Sequence, residues 1–283
     1  EDEVFGLWSG LGYYSRARHL HRCAQEVMAN FGGVFPTQAA VLETLPGIGR
    51  STAAAIAAFC HGERVAILDG NVRRVLSRVL GFDADLSRSA HVQALWNRAT
   101  DLLPTADLDE TMPRYTQGLM DLGATVCLPR RPRCDACPVQ TLCAGAASGE
   151  PERLPFRTRA TIRRAQSWWL LVARDREGRV WLERRPARGI WAGLHCLPMY
   201  ESLQALEQDW PCAPDADRRD GPAFVHVLTH RDLHLHPVHL TVPTTGDAPA
   251  ELPARGRWLD RSEWTGLGLP TPVRRLLEAD EED

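Results

Sequence analysis

From Leu7 to about Ala124 the apolar residues recur at intervals of three and four, and the alternation that marks a half-buried strand is almost absent. This half of the chain is expected to be all-α. Leu20, Ala24, Val27 and Met28 repeat at helical spacing and stop at Gly32-Gly33, and Pro36-Thr37 opens a helix carrying Ala40, Val41 and Leu45. An alanine-rich helix starts near Arg50, and others are expected over Asn71 to Leu80, Ala90 to Leu103 and Pro113 to Leu122, the last begun by its proline.

The pattern changes at Ala144. Gly145, Ser148, Gly149, Pro151 and Pro155 alternate with Arg153, Arg157, Arg159, Arg163 and Arg164, which reads as a basic linker. Trp168 to Ala173 is then a continuous apolar run, Arg179 to Glu183 alternates, and Ala223 to Val242 holds two strand-like runs rich in Val, Leu and His. Helical spacing returns at Ser202 to Gln208 and Pro272 to Leu277. The fold class is therefore multidomain: an all-α domain over residues 1–143, a linker over 144–164 and an α+β domain over 165–283.

Composition narrows this picture only a little. The 283 residues suffice for two cores, and the formal net charge of -3 gives no global sign of a nucleic-acid partner. Local patches do exist: Arg16, Arg18, His19, His21 and Arg22; Arg73, Arg74 and Arg78; and Arg130, Arg131 and Arg133. Each is either a phosphate-binding surface or a solvated helix face. No apolar run approaches a membrane span, the longest being Ala53 to Phe59, and no signal peptide precedes the cysteines. A cytoplasmic protein in a reducing compartment is expected.

Four of the eight cysteines cluster as Cys127, Cys134, Cys137 and Cys143, in the spacing C-x6-C-x2-C-x5-C, in a loop stiffened by Pro129, Pro132 and Pro138. Thiolates this close suit a soft centre. Tetrahedral zinc sites usually pair two tight knuckles, and only Cys134 and Cys137 form one here, so the spacing leans to a [4Fe-4S] cluster over zinc or unrelated thiols. Cys23, Cys60, Cys196 and Cys212 are scattered and read as small core or surface residues.

Two further motifs carry chemistry. In Leu45-Pro46-Gly47-Ile48-Gly49-Arg50-Ser51 two glycines sit between helices, so that backbone N–H groups can face outward at a helix N-terminus and bind phosphate; the bland reading is a plain corner between helices. In Ile67-Leu68-Asp69-Gly70-Asn71 an apolar stretch ends in a carboxylate just before a helix. Asp69 is either an N-cap or a group that stabilises positive charge developing on a sugar.

Taken in this order, the hairpin, the Asp69-Gly70-Asn71 triplet and the cysteine quartet resemble the helix-hairpin-helix base-excision DNA glycosylases that carry an iron-sulfur cluster. The lyase branch has a lysine where this chain has Ser51, and Leu11-Gly12-Tyr13-Tyr14-Ser15-Arg16-Ala17-Arg18 resembles a signature of the adenine-specific branch. The resemblance implies a monofunctional glycosylase with a [4Fe-4S] cofactor. It implies a Nudix-like domain after the linker that reads 8-oxoguanine through Leu228-Thr229-His230, where the family's aromatic residue is lost. No nucleotide pyrophosphatase activity is expected, because the glutamate-rich, magnesium-binding helix is missing after Trp191-Ala192-Gly193.

By the same resemblance, Asp69 and Asn71 are the catalytic pair, Ser51 lines the pocket, and Leu11 and Tyr13 wedge beside the lesion, with Thr229 and His230 contacting it. Gly47, Gly49 and Arg50 bind phosphate, and Cys127, Cys134, Cys137 and Cys143 ligate the cluster. The expected partner is double-stranded DNA with A opposite 8-oxoguanine or G, bound by a monomer at the bacterial nucleoid. The family's general-acid glutamate lies in a stretch this sequence does not contain, and Glu3 does not replace it, so these residues alone are expected to be nearly inactive. The other readings are a lyase on oxidised pyrimidines, a non-catalytic damage binder and a zinc-stapled interaction protein.

Overall fold

The computed structural model describes residues 1–158, 163–211, 217–242 and 256–279; Arg159 of the expected linker and Cys212 lie outside them. Two compact units are present, one of Arg22–Ala160 and one combining Glu1–His21 with Thr161–Asp283. Among the described residues no helix is long and apolar enough to cross a membrane.

The first unit is helical: most of α2 (Tyr14–Asn30), then α3 (Ala39–Leu42), α4 (Arg50–His61), α5 (Gly70–Val79), α6 (Ser89–Asp101), α7 (Leu108–Asp121) and the short α8 (Ala144–Ala147), with a π-turn over Leu122–Val126. Its core joins Ala54 and Ala58 of α4, Val72 and Leu76 of α5, and Leu95, Trp96 and Ala99 of α6, together with Met112 of α7. The alanine run of α4 matters here, because small side chains let neighbouring helices close on it.

Three helical expectations are corrected, the first being the helix opened at Pro36-Thr37, which is only the four-residue α3 with Leu45 outside it. In α2 Leu20 is 58% and Met28 69% exposed, and the buried positions of its second half are Cys23 and Val27. Cysteine packs as a small apolar residue and shifts the core stripe by one position. The helix read as starting at Pro113 starts at Leu108, and Pro113 lies inside it. The backbone carbonyl of Asp107 accepts from the N–H groups of Glu110 and Thr111 with no side-chain cap, and acidic Asp109 and Glu110 suit a first turn that precedes the proline.

Residues 144–158, read as linker, carry α8 and a turn over Pro151–Arg153 and bind back to the helical unit. The Leu86 N–H donates to Phe156 O at 3.0 Å, and Asp85 accepts from Ser87 and Thr158 through both backbone and hydroxyl. The Thr158 hydroxyl, the first of these donors, holds the Asp85 carboxyl well below the usual carboxylate range.

In the other unit a mixed sheet runs in the order β3 (His195–Cys196), β2 (Val180–Arg184), β1 (Arg164–Asp175), β7 (Arg231–Val242), β5 (Arg218–Asp220). Off this path β4 (Met199–Tyr200) pairs with β1, β6 (Phe224–Val227) with β7 and β8 (Gly256–Leu259) with β2. Strands β1 and β7 are parallel, with Leu170 opposite Pro237. Both faces of β1 are covered: Leu170 and Val172 pack with Trp264 of α10 (Arg261–Thr265) and with Val273 and Leu277 of α11 (Thr271–Ala279), while Leu171 and Ala173 pack with Leu206 of α9 (Leu203–Asp209) and Trp210. That is why β1 reads as an unbroken apolar run.

The first residues of the chain belong to this unit. Phe5 of α1 (Asp2–Leu7), Tyr14, Ala17 and Leu194 form a small core, and the Tyr14 hydroxyl donates to Leu269 O at 2.8 Å.

Candidate functional site

Asp69 caps α5. Its Oδ1 accepts from the Val72 N–H at 2.9 Å and its Oδ2 from the Asn71 N–H at 3.2 Å. A carboxylate offers about four lone-pair positions, so capping leaves acceptor capacity on a half-buried group. The two sequence readings of Asp69 are thus compatible, because the cap fixes the carboxylate that chemistry would use. Ser51, in the first turn of α4, accepts the Leu68 N–H on its Oγ at 2.7 Å and so ties the hairpin helix to the residue before Asp69.

Arg74 braces the other side. It donates to Asn71 Oδ1 at 2.9 Å, Cys127 O at 2.7 Å and Gly123 O at 2.6 Å. The π-turn comes this close only because residue 123 is glycine: a Cβ there would stand 2.8 Å from the Asn71 Cβ. Arg73 has its pKa lowered by burial first and by Arg157 second, with Asp69 opposing, which records a second cation beside the carboxylate.

In the hairpin Gly47 has φ +80°, a conformation that favours glycine, and the Ile48 N–H closes the turn on Leu45 O at 3.1 Å. Gly49 is the N-cap of α4 and has open space where a Cβ would stand, so its backbone is approachable. Arg50 turns the other way, onto α6: its guanidinium lies 4.0 Å from the Trp96 ring centre and donates to Gln93 Oε1 at 3.0 Å.

The four clustered cysteines line one cavity together with Val75, Arg78 and Val126. The Cys127 Sγ accepts from Arg78 at 3.3 Å, and the Cys143 Sγ accepts from the Ala146 N–H at 3.4 Å. Burial, followed by the charges of the other three cysteines, pushes the Cys134 thiol up. Among the described residues no group of three or more His, Cys, Asp or Glu is arranged around a single ion. The donor set itself, four thiols facing an apolar space with N–H groups aimed at two sulfurs, fits a thiolate-held iron-sulfur cluster. Arg130, Arg131 and Arg133 of this loop are exposed and form no ion pair among the described residues.

A cleft of about 660 Å³ opens in the sheet-containing unit, a size usual for a ligand site. Tyr13 and Ser15 line one part, Trp191 and Ala192 another, and Leu228, Thr229 and His230 a third. The last three form the loop of the β6–β7 hairpin, closed by the Leu228 N–H on Arg231 O at 2.7 Å. Leu228 packs against the core, while Thr229 and His230 are exposed. Tyr13 stands 69% exposed at φ +48°, with the Arg16 guanidinium 5.0 Å from its ring centre, and Leu11 is 64% exposed. His226 lies 6.0 Å from Trp191, and burial followed by the charge of Arg275 lowers its pKa.

These elements define a class: a helix-hairpin-helix base-excision DNA glycosylase joined to a Nudix domain. Residues 1–99 match the HhH-GPD superfamily of base excision DNA repair proteins, and residues 169–279 match the NUDIX domain. The adenine DNA glycosylase of Buchnera aphidicola subsp. Acyrthosiphon pisum (strain APS) is 31% identical over 282 residues, covering 98% of this chain and 78% of that one. The adenine DNA glycosylase of Homo sapiens is 45% identical over 154 residues, covering 54% of this chain and 28% of that one. A solved non-covalent complex of endonuclease III with DNA is 26% identical over 50% of this chain and 61% of that one, at a TM-score of 0.40. The chain belongs to the adenine DNA glycosylase family, and its enzyme class is DNA N-glycosylase.

Sequence reasoning missed Arg74, Arg78 and Gly123, each of which holds the site from behind. Arg74 and Arg78 were read with Arg73 as one basic patch, yet their donors are taken up by carbonyls and a sulfur. The available signal was their spacing of four on a helix whose other face is apolar, which sets both on one side of α5.

Proposed function

We propose that this enzyme removes adenine opposite 8-oxoguanine or guanine, as a cytoplasmic monomer acting on nucleoid DNA, by hydrolysing the N-glycosidic bond. The observation that carries the specificity is the cleft: Tyr13 and the Thr229-His230 loop, assigned to the lesion from separate motifs, line one cavity of one compact unit. A hydroxyl and an imidazole there can meet the polar edge of an oxidised purine, and a projecting tyrosine can hold the stack open.

In the reaction the C1'–N9 bond breaks, its electron pair leaves with adenine, and C1' becomes an oxocarbenium ion that water captures. Asp69, fixed by two N–H groups and by the Ser51 tether, places a negative charge against that cation. Asn71, held by Arg74, helps to position the sugar or the water. Gly47 and Gly49 offer backbone N–H groups to a phosphate, and Arg130, Arg131 and Arg133 extend the contact. Cys127, Cys134, Cys137 and Cys143 hold a [4Fe-4S] cluster, which supplies a rigid centre for this loop. Protonation of the leaving base needs an acid, and general-acid assistance is typically worth 10² to 10⁴-fold.

Single-turnover adenine release tests this, comparing duplexes with A opposite 8-oxoguanine, A opposite guanine and A opposite thymine. Release from A opposite 8-oxoguanine and from A opposite guanine, with none from A opposite thymine, is the expected result. No preference for 8-oxoguanine over a normal base opposite adenine would remove the lesion-reading role of the cleft.

A further inference from the structure

Arg78 is 2% exposed, the most deeply buried charge among the described residues. Asp175, the other buried charge, has a cation 2.6 Å away in Arg179. Arg78 has no carboxylate partner among the described residues. Its Nε donates to Leu154 O at 3.0 Å, its Nη1 to Leu128 O at 2.7 Å and its Nη2 to Pro129 O at 3.1 Å. Carbonyl dipoles satisfy the donors without cancelling the charge, and an unpaired ion in a protein interior costs several kcal/mol. Gly145 lets α8 pack closely on the backbone of Arg78, where a Cβ would stand 3.1 Å from the Arg78 carbonyl oxygen.

One further acceptor is different in kind. Nη1 also reaches Cys127 Sγ at 3.3 Å, and Arg78 lines the same cavity as all four clustered cysteines. Four neutral thiols leave the guanidinium uncompensated. Four thiolates around a bound centre give that centre net negative charge and supply the missing counter-ion.

We propose that Arg78 is the buried counter-charge and N–H···S donor of the cysteine-held cluster, and that it sets the reduction potential of that cluster. This rests on the cluster reading given above. A fixed positive charge in a low-dielectric site favours the more reduced, more negative state, and an N–H···S bond acts in the same direction. Removing Arg78 therefore lowers the potential and makes the oxidised state easier to reach.

The test uses the whole chain with its cluster. Iron and sulfide analysis comes first: zinc in their place would sink the cluster reading and this inference together. Film voltammetry then compares wild type with Arg78→Gln and Arg78→Lys. The expected result is a shift to lower potential in Arg78→Gln, tenfold or more in the redox equilibrium (~59 mV for one electron), with Arg78→Lys within a few-fold of wild type. A loaded Arg78→Gln protein at the wild-type potential overturns the proposal and leaves the cluster reading intact. If Arg78→Gln takes up no cluster, wild-type protein labelled with ¹⁵N-arginine decides by pulsed EPR. Coupling of an arginine nitrogen to the paramagnetic cluster supports the proposal, and its absence overturns it.

Discussion

Asp69 is positioned by two N–H groups of its own helix, by Ser51 one helix earlier and, through Asn71, by Arg74 one turn later. The cleft instead takes Tyr13 from near the start of the chain, Trp191 from the middle and Thr229 from the β6–β7 hairpin. The first arrangement is local and redundant, so removing one tether leaves others. The second depends on long-range packing, with Phe5, Tyr14 and Leu194 joined in one small core and Tyr14 anchored to Leu269. In the proposed reaction, chemistry at the sugar needs a fixed charge, whereas the proposed reading of the opposite base needs a surface that spans the duplex.

The sharpest test of that difference is Asp69→Asn, assayed for adenine release and for DNA binding. Asparagine also caps helices, so the fold should hold, and release should fall by roughly 10² to 10³-fold with DNA binding nearly unchanged. Comparable loss of binding would mean that Asp69 acts through structure.

Next comes Gly123→Ala, which strikes the Asp69 region and should leave the cleft alone. Its Cβ would stand 2.8 Å from the Asn71 Cβ, and overpacking of this kind costs about 1–3 kcal/mol. Thermal unfolding should show a lower midpoint for the helical unit, and an unchanged midpoint would show that the π-turn yields freely. Thr229→Val works the other way round. Losing one hydroxyl contact, worth about 1 kcal/mol, should reduce the preference for 8-oxoguanine over guanine several-fold while release from A opposite G stays as it was.

The smallest effect is a pH dependence confined to the sheet-containing unit. Burial, with Arg275 adding to it, lowers the pKa of His226. Between its folded value and the ordinary value of about 6.5, the unfolded chain binds more protons, so stability rises with pH across that range and is lost as pH falls through it. Urea midpoints at pH 7.5 and 5.5 should differ more in wild type than in His226→Asn; equal differences would remove His226 as the cause.

Much of this was legible in the residues. The helical half, the strands β1, β2, β6 and β7 and the cap at Asp69 follow from spacing and turn chemistry. The stripe of α2 and the start of α7 are not legible in the sequence, because a cysteine counts as core only once its neighbours are known, and because the acidic first turn of Asp109 and Glu110 lies ahead of the proline that signals a start. Arg50, expected at a phosphate, lies on Trp96, since a guanidinium beside an aromatic face has a partner that no linear motif reveals.

Local order in the chain determined the elements, the cap that fixes Asp69, the glycine turn at Gly47 and the four cysteines of one loop, because each depends on backbone preferences within a few residues. Tertiary structure alone decided the fates of the three arginines of α5: Arg73 lies beside Asp69, Arg74 binds Asn71 and the π-turn, and Arg78 is sealed against the cysteine cavity. It also joined Tyr13 to the Thr229 loop. A side chain's type sets what it can bind, but its neighbours in space set which of those bonds it makes, and the neighbours come from segments far apart in the chain.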